Sequence, residues 1–134
     1  IKRYHDYGIG VEGSILLGLD YHTEDYIKRL VDFLLAVELD MAEFTVLTPF
    51  PHTRTFEDLH NAGRIFSYDW NDYTCDKVVF QPQSMTPEEL QSMYHYAWDK
   101  FYEEEPQSYR MFKLLKKVVE KEKADNTYRP RRRN

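Results

Sequence analysis

Cysteine is all but missing: Cys75 is the only one in 134 residues. A disulfide within the chain is therefore excluded, as is any metal site that one chain builds from cysteine alone, and the usage suits a reducing cytoplasm. No apolar run is long enough to cross a bilayer and no signal peptide opens the sequence, so a cytoplasmic protein without a transmembrane segment is expected. The five histidines, His5, His22, His52, His60 and His95, include no pair at helical metal-ligand spacing and read as surface residues, so no metal site is expected. There is no internal repeat. An initiator methionine and an N-cap are both missing before "IKRYHDYG", which reads as the last two turns of a helix ended by Gly8 in a left-handed cap. Residue 1 is expected to be a cut through a longer protein.

What is present suffices for one modest core: 42% of residues are hydrophobic and 16% aromatic. The net charge of -5 hides an asymmetry, because four of the 18 basic residues crowd between Arg129 and Arg133. The remaining body is acidic and repels a phosphate backbone, so specific nucleic-acid binding is not expected. The tail, "NTYRPRRRN", reads as disordered.

The segment from Ile9 to Leu17 reads as a strand, and its apolar run from Ile15 suggests burial on both faces, as in parallel sheets. Thr23 then offers an N-cap, Glu24 and Asp25 suit the first turn, and Ile27, Leu30, Val31 and Leu34 give a helix to about Glu38, its apolar face widened by Phe33, Leu35 and Val37. A second buried strand spans about Glu43 to Leu47 and stops at Pro49 and Pro51. Strand, helix, strand is the parallel crossover unit. A short helix from Arg54 to Ala62 ends at Gly63, and "DKVVFQP" reads as a third, edge strand. "SMTPEEL" carries a capping box, with Thr86 as N-cap, Pro87 at the first position and Glu89 as reciprocal partner. That helix runs to about Glu103 with Leu90, Met93, Tyr94, Ala97, Trp98 and Phe101 on one face. A last helix from Pro106 to Lys123 is expected to turn Tyr109, Phe112, Leu115, Val118 and Val119 inward.

Within "GSILLGLDYHTED", a parallel strand ends on Gly18 and Asp20. Ligands meet parallel α/β sheets at that end, where a glycine permits close approach and a carboxylate accepts hydrogen bonds. The alternative is that Gly18 only makes the turn and Asp20 only assists the cap. Asp20 with His22 as an acid/base pair is disfavoured, since consecutive turn residues usually point apart. Trp70, in the run Asp69, Trp70, Asp72, Tyr73, is expected to anchor a long loop to the core. Cys75 reads as a buried or idle thiol.

"ILLGLDYHTEDY" resembles the fifth strand and following turn of the radical S-adenosylmethionine enzymes, and "FTVLTPFPHTRTFEDLHNAGRI" their sixth strand and its exit. With "DW" at Asp69 and Trp70, "VVFQP" and "MTPEEL", the order is most similar to the C-terminal part of the cobalamin-binding group, over roughly Ile1 to Arg110. The resemblance implies an α/β fold: a fragment of a partial (β/α) barrel, its last two parallel strands with their crossover helix, followed by a mostly helical C-terminal extension. Residues 1–64 would be the barrel portion, 65–124 the extension with one edge strand and two helices, and 125–134 the basic tail. It further implies a parent iron–sulfur enzyme using S-adenosylmethionine, a [4Fe-4S] cluster and cobalamin, with methyl transfer to an unactivated carbon as its type of reaction. Leu16, Leu17, Gly18, Leu47 and Thr48 would contact S-adenosylmethionine, largely through main chain. The cluster loop, CxxxCxxC, has no counterpart here, so this chain alone is expected to bind none of these groups and to be inactive.

Two departures stand out. Against the family's GxIxGxxE, Ser14 takes the first glycine position and Tyr21 the glutamate. Where relatives read Pro-Gly-Thr-Pro, this chain has Pro51, His52, Thr53 and Arg54. His52 and Arg54 either meet a substrate, which the sequence does not name, or mark a loop that has simply drifted, the reading slightly favoured; Asp20, at the strand end, is a further candidate to meet that substrate. The expected partner is the rest of the parent barrel. The competing reading is a free-standing helical interaction module whose basic tail contacts an acidic partner.

Overall fold

The computed structural model describes residues 1–103, 105–127 and 129. A short helix, α1 (Lys2–Asp6), ends at Gly8, whose φ of +71° is the left-handed cap expected there. Strand β1 (Glu12–Leu17), helix α2 (Glu24–Ala36) and strand β2 (Met41–Val46) follow. The strands are adjacent and parallel, with Ser14 opposite Glu43 and Leu16 opposite Thr45. Thr23 caps α2 by accepting from the Tyr26 amide at 3.2 Å. The chain continues through α3 (Arg54–Asn61), a 3-10 turn (Trp70–Asp72), α4 (Pro87–Tyr102) and α5 (Gln107–Ala124).

The core lies on one face of the sheet. Leu17, Ala42, Phe44 and Val46 bury there against Ile27, Val31 and Leu34 of α2 and Leu90, Ala97 and Phe101 of α4. On the other face Glu12, Ser14, Leu16 and Glu43 are exposed and Thr45 is half-buried, while Met41, opposite Glu12, is buried. Burial of β1 on both faces is thus corrected: α2 and α4 share one core, and with period-two alternation the opposite side chains point away from it. Phe33, expected to widen the apolar face of α2, is exposed because it lies off the helical stripe of Ile27, Val31 and Leu34 that meets the core.

The two edges of the sheet differ. In a parallel ladder, successive residues direct their amides and carbonyls to opposite sides. Leu47 donates to the Leu17 carbonyl at 2.8 Å, so Ala42, Phe44 and Val46 face outward on β2. That edge is covered: the Val46 amide donates to the Cys75 carbonyl at 2.7 Å, and the Tyr102 hydroxyl accepts from the Ala42 amide at 3.1 Å while donating to its carbonyl at 2.8 Å. By the same alternation, Ser14 and Leu16 direct their main-chain groups to the far edge of β1. No described strand pairs with that edge.

The segment read as a third strand does not join this sheet. Phe80 bridges Ile65 in antiparallel sense, the Gln81 amide donating to the Arg64 carbonyl at 2.7 Å, so it pairs with the exit of α3. The capping box of α4 is complete, Thr86 and Glu89 each taking the other's amide.

Helix α5 is rotated from expectation. Tyr109, Phe112 and Leu115 are exposed, and no residue of the helix is buried. Val118 and Val119 are half-buried as expected, but the packed side continues through Arg110 and Leu114, because Gly10 leaves room for Leu114 and a clamp fixes the helix start. The Arg110 guanidinium lies 4.4 Å above the Phe101 ring and donates to the carbonyls of Leu39, Phe101 and Glu105 at 3.0 to 3.1 Å. Nearby, Asp40 accepts from the Val11 amide at 2.9 Å and pairs with His5 at 2.7 Å, tying α1 to the sheet. Most of the basic tail lies outside the described residues.

Candidate functional site

The residues singled out at the strand ends do come together, in a cluster held mostly by main-chain and turn chemistry. Leu17 and Gly18 are buried, and Gly18 has a φ of +96°, which an L side chain rarely adopts. A Cβ added there would sit 2.9 Å from Leu90 Cδ2 and 3.3 Å from Phe80 Cζ. The close approach that glycine permits is therefore first of all that of α4 and the Phe80 segment. Leu16 is 42% exposed on the open face, Leu47 is half-buried, and Thr48 is buried with its hydroxyl donating to the Val46 carbonyl at 3.0 Å.

His22, read from sequence as a surface residue, is 3% exposed. Its Nδ1 accepts from the Gly18 amide at 3.3 Å, so a neutral ring carries its proton on Nε2. The ring stacks on Tyr26 at 4.6 Å, and Tyr21 meets its edge at 4.7 Å. Burial holds the imidazole below its ordinary value of 6.5. The two tyrosines beside it in "DYHTEDY" were the signal that this histidine had a packed place.

Asp20 is not the unengaged acceptor expected. Arg64 donates to its two carboxylate oxygens at 2.6 and 3.3 Å, and the Ser84 hydroxyl donates to its carbonyl at 2.6 Å. The hydrogen bonding from Arg64, opposed by some burial and aided by the arginine's charge, holds this carboxyl below its ordinary 3.8. Arg64 also donates from Nε to the Gln81 carbonyl at 2.8 Å. One side chain thus joins the β1 turn, the exit of α3 and the Phe80 segment. Asp20 and His22 face different partners and form no acid/base pair.

His52 and Arg54 start α3 and are exposed. His52 has a φ of +64°, Thr53 is the N-cap, accepting from the Phe56 amide at 3.2 Å, and Arg54 is the first helical residue. Glycine, threonine and proline suit those places in turn, which gives Pro-Gly-Thr-Pro a purely conformational reading. Arg54 meets Asp58 at 3.5 Å across one helical turn.

Trp70 does not anchor its loop: it is 55% exposed, and buried Tyr73 does so instead, its hydroxyl donating to the Ser67 carbonyl at 2.9 Å. Cys75 is a half-buried free thiol at a φ of +65°. Among the described residues no three histidine, cysteine, aspartate or glutamate side chains gather to hold a metal. No described helix is long and apolar enough to cross a membrane.

Residues 53–134 match the family described as domain of unknown function DUF4070. The chain belongs to that family. It is 26% identical over 102 residues to the uncharacterized methyltransferase PH0819 of Pyrococcus horikoshii, covering 76% of this chain and 22% of that protein. To the bacteriochlorophyllide d C-12(1)-methyltransferase of Chlorobaculum tepidum it is 28% identical over 90 residues, 67% of this chain and 19% of the relative. To the anaerobic magnesium-protoporphyrin IX monomethyl ester cyclase of Cereibacter sphaeroides it is 22% identical over 112 residues, 73% of this chain and 18% of the relative. The chain spans about a fifth of the length of the curated relatives it matches. These matches bear out the resemblance to the C-terminal part of the radical S-adenosylmethionine enzymes.

Proposed function

We propose that this DUF4070 chain supplies the last two strands and the C-terminal helical cover of a cytoplasmic radical S-adenosylmethionine enzyme, with cobalamin-dependent methyl transfer as the parent's reaction. The observation that carries this is the asymmetry of the sheet: β2 has its outer edge closed by Tyr102 and Cys75, whereas among the described residues nothing pairs with the outer edge of β1 and Glu12, Ser14 and Leu16 on its other face are exposed. A terminal strand and its inner neighbour in a larger parallel sheet would have this form. In this reading residues 1–64 belong to the barrel, 65–124 cover its end, and the uncovered face faces the lumen.

The cluster supplies the electron for reductive cleavage of S-adenosylmethionine when a protein binds it. Cluster ligation asks for several thiolates, and this chain has one cysteine, so its residues do not fit that group and no step passes through them. Their work is binding and support. Leu16, Leu17, Gly18, Leu47 and Thr48 build the strand ends that meet S-adenosylmethionine, with Leu16 exposed and the Leu17 carbonyl and Gly18 amide already bonded to Leu47 and His22. His22 and Arg64 hold the turn that shapes that place. Asp20, His52 and Arg54 stand on the adjoining loops, within reach of a substrate; Arg64 leaves the Asp20 side chain 55% exposed. No residue here is assigned to cobalamin. Two of these relatives carry tetrapyrroles in their names, which makes a flat macrocycle the substrate class they bring to this chain.

The test is anaerobic reconstitution of the intact parent with iron and sulfide, then reductant and S-adenosylmethionine. The parent should cleave the cofactor, and the 134-residue chain, treated identically, should not. A parent without cleavage activity, or a fully active isolated chain, overturns the proposal. The exposed apolar side of α5 favours a second reading, a helical interaction module; it predicts a partner bound by the chain when no barrel is attached.

A further inference from the structure

An aromatic band runs from α3 onto the loop that follows it: Phe56 is partly buried against the core, while His60, Tyr68 and Trp70 are exposed. Phe56 and His60, one turn apart on α3, lie parallel with ring centres 5.8 Å apart. Tyr68 stands nearly perpendicular to both, and its hydroxyl shares a 2.8 Å hydrogen bond with His60 Nδ1. Trp70 continues the band 6.5 Å from Phe56 and 4.9 Å from Tyr73. Tyr68 and Trp70 leave about half of their surface in solvent, at 48% and 55%, and Phe66 beside them is 57% exposed. Contiguous apolar surface of this kind marks a contact site more often than chance.

The band is also built to stay in place. Asp72 accepts from the Ser67 hydroxyl at 3.0 Å and from Lys77 at 2.9 Å, and Asp69 caps the 3-10 turn through the Asn71 amide at 3.0 Å. The carboxylates around the rings are thus committed to their own loop, while Phe66, Tyr68 and Trp70 keep about half of their surface in solvent. The same loop reaches the sheet at Cys75, whose carbonyl takes the amide of Val46, the last residue of β2.

We propose that Phe56, His60, Tyr68 and Trp70 form an aromatic contact surface that meets the flat conjugated ring of the substrate, a tetrapyrrole-sized macrocycle, by face and by edge. Aromatic side chains recognise such a ring by its π-face, so affinity comes from area and geometry and needs no charged group. This rests on the reading of the chain as part of a radical enzyme, but its test does not require the cluster or the reaction.

Zinc protoporphyrin is titrated into the full 134-residue chain, followed by its absorbance and by quenching of tryptophan fluorescence. Saturable one-to-one binding is expected. Trp70→Ala and Phe56→Ala should each weaken it by roughly tenfold, with far-UV circular dichroism and melting unchanged for the exposed Trp70. Phe112→Ser, on the exposed side of α5, is the control for general greasiness and should bind as the parent sequence does. Absence of binding, equal affinity in Trp70→Ala, or loss confined to Phe112→Ser overturns the aromatic contact surface. Each of those results would leave cofactor cleavage by the intact enzyme, the test of the underlying reading, unaffected.

Discussion

Replacing Gly18 by alanine adds a single methyl group at the junction of β1, α4 and the Phe80 segment. Two costs follow from the geometry. A φ of +96° strains any residue with a Cβ, at about 1–2 kcal/mol. The new carbon would also fall 2.9 Å from Leu90 Cδ2 and 3.3 Å from Phe80 Cζ, and both residues are fully buried, so neither can swing into solvent. Overpacking of that kind costs about 1–3 kcal/mol. The expected loss is therefore about 2–5 kcal/mol, a large part of the stability of a domain this size. Urea unfolding followed by circular dichroism measures it, with the slope of the transition checked for constancy. A loss below about 0.5 kcal/mol would refute the claim that Gly18 is required by backbone and packing together. The same reasoning rules out Gly18→Val as a clean probe of cofactor binding, since the fold would suffer first.

Three further outcomes are expected. Arg110→Ala should free α5, raising amide exchange across Gln107–Ala124 and costing about 2–4 kcal/mol, because three carbonyl acceptors and a ring contact lose one partner; unchanged exchange would show that Leu114 and Val118 suffice. His22 is held neutral, its folded pKa lying below 6.5, so below that pH the unfolded chain binds the extra proton; stability should fall as pH drops from about 6.5 toward the folded value, and His22→Gln should flatten that slope in pH-dependent melting. His52→Gly should raise the melting temperature, by relief of a positive φ worth about 1 kcal/mol, whereas a substrate-binding His52 would instead lose parent activity with no gain in stability.

The crossover unit was legible because its signals are local and agree: Thr23 caps α2, the heptad-like apolar spacing follows, and Pro49 stops the strand after it. Capping boxes are similarly self-contained, which is why Thr86 and Glu89 were readable three residues apart. Helix α5 was not, since its apolar residues lie nearly all round and the packed side is chosen by Gly10, Leu39 and Phe101, none close to it in sequence. Asp20 was misread for a related reason. Its partner, Arg64, is 44 residues away, and no pattern in the β1 turn announces it. His22 was missed because histidine frequency favours the surface, although Tyr21 and Tyr26, close to it in sequence, supply the rings it packs on.

The account turns on β1 being an inner strand of a larger sheet. Its direct measurement is hydrogen exchange at the amides of Ser14 and Leu16, which face the uncovered edge, compared between the 134-residue chain and the intact parent. Pairing with a barrel strand predicts that both exchange readily in the chain alone and are protected by roughly a hundredfold or more in the parent, with Val46, already bonded to Cys75, protected in both. Equal exchange of Ser14 and Leu16 in the two proteins would mean that no strand adds at that edge, contradicting the barrel assignment.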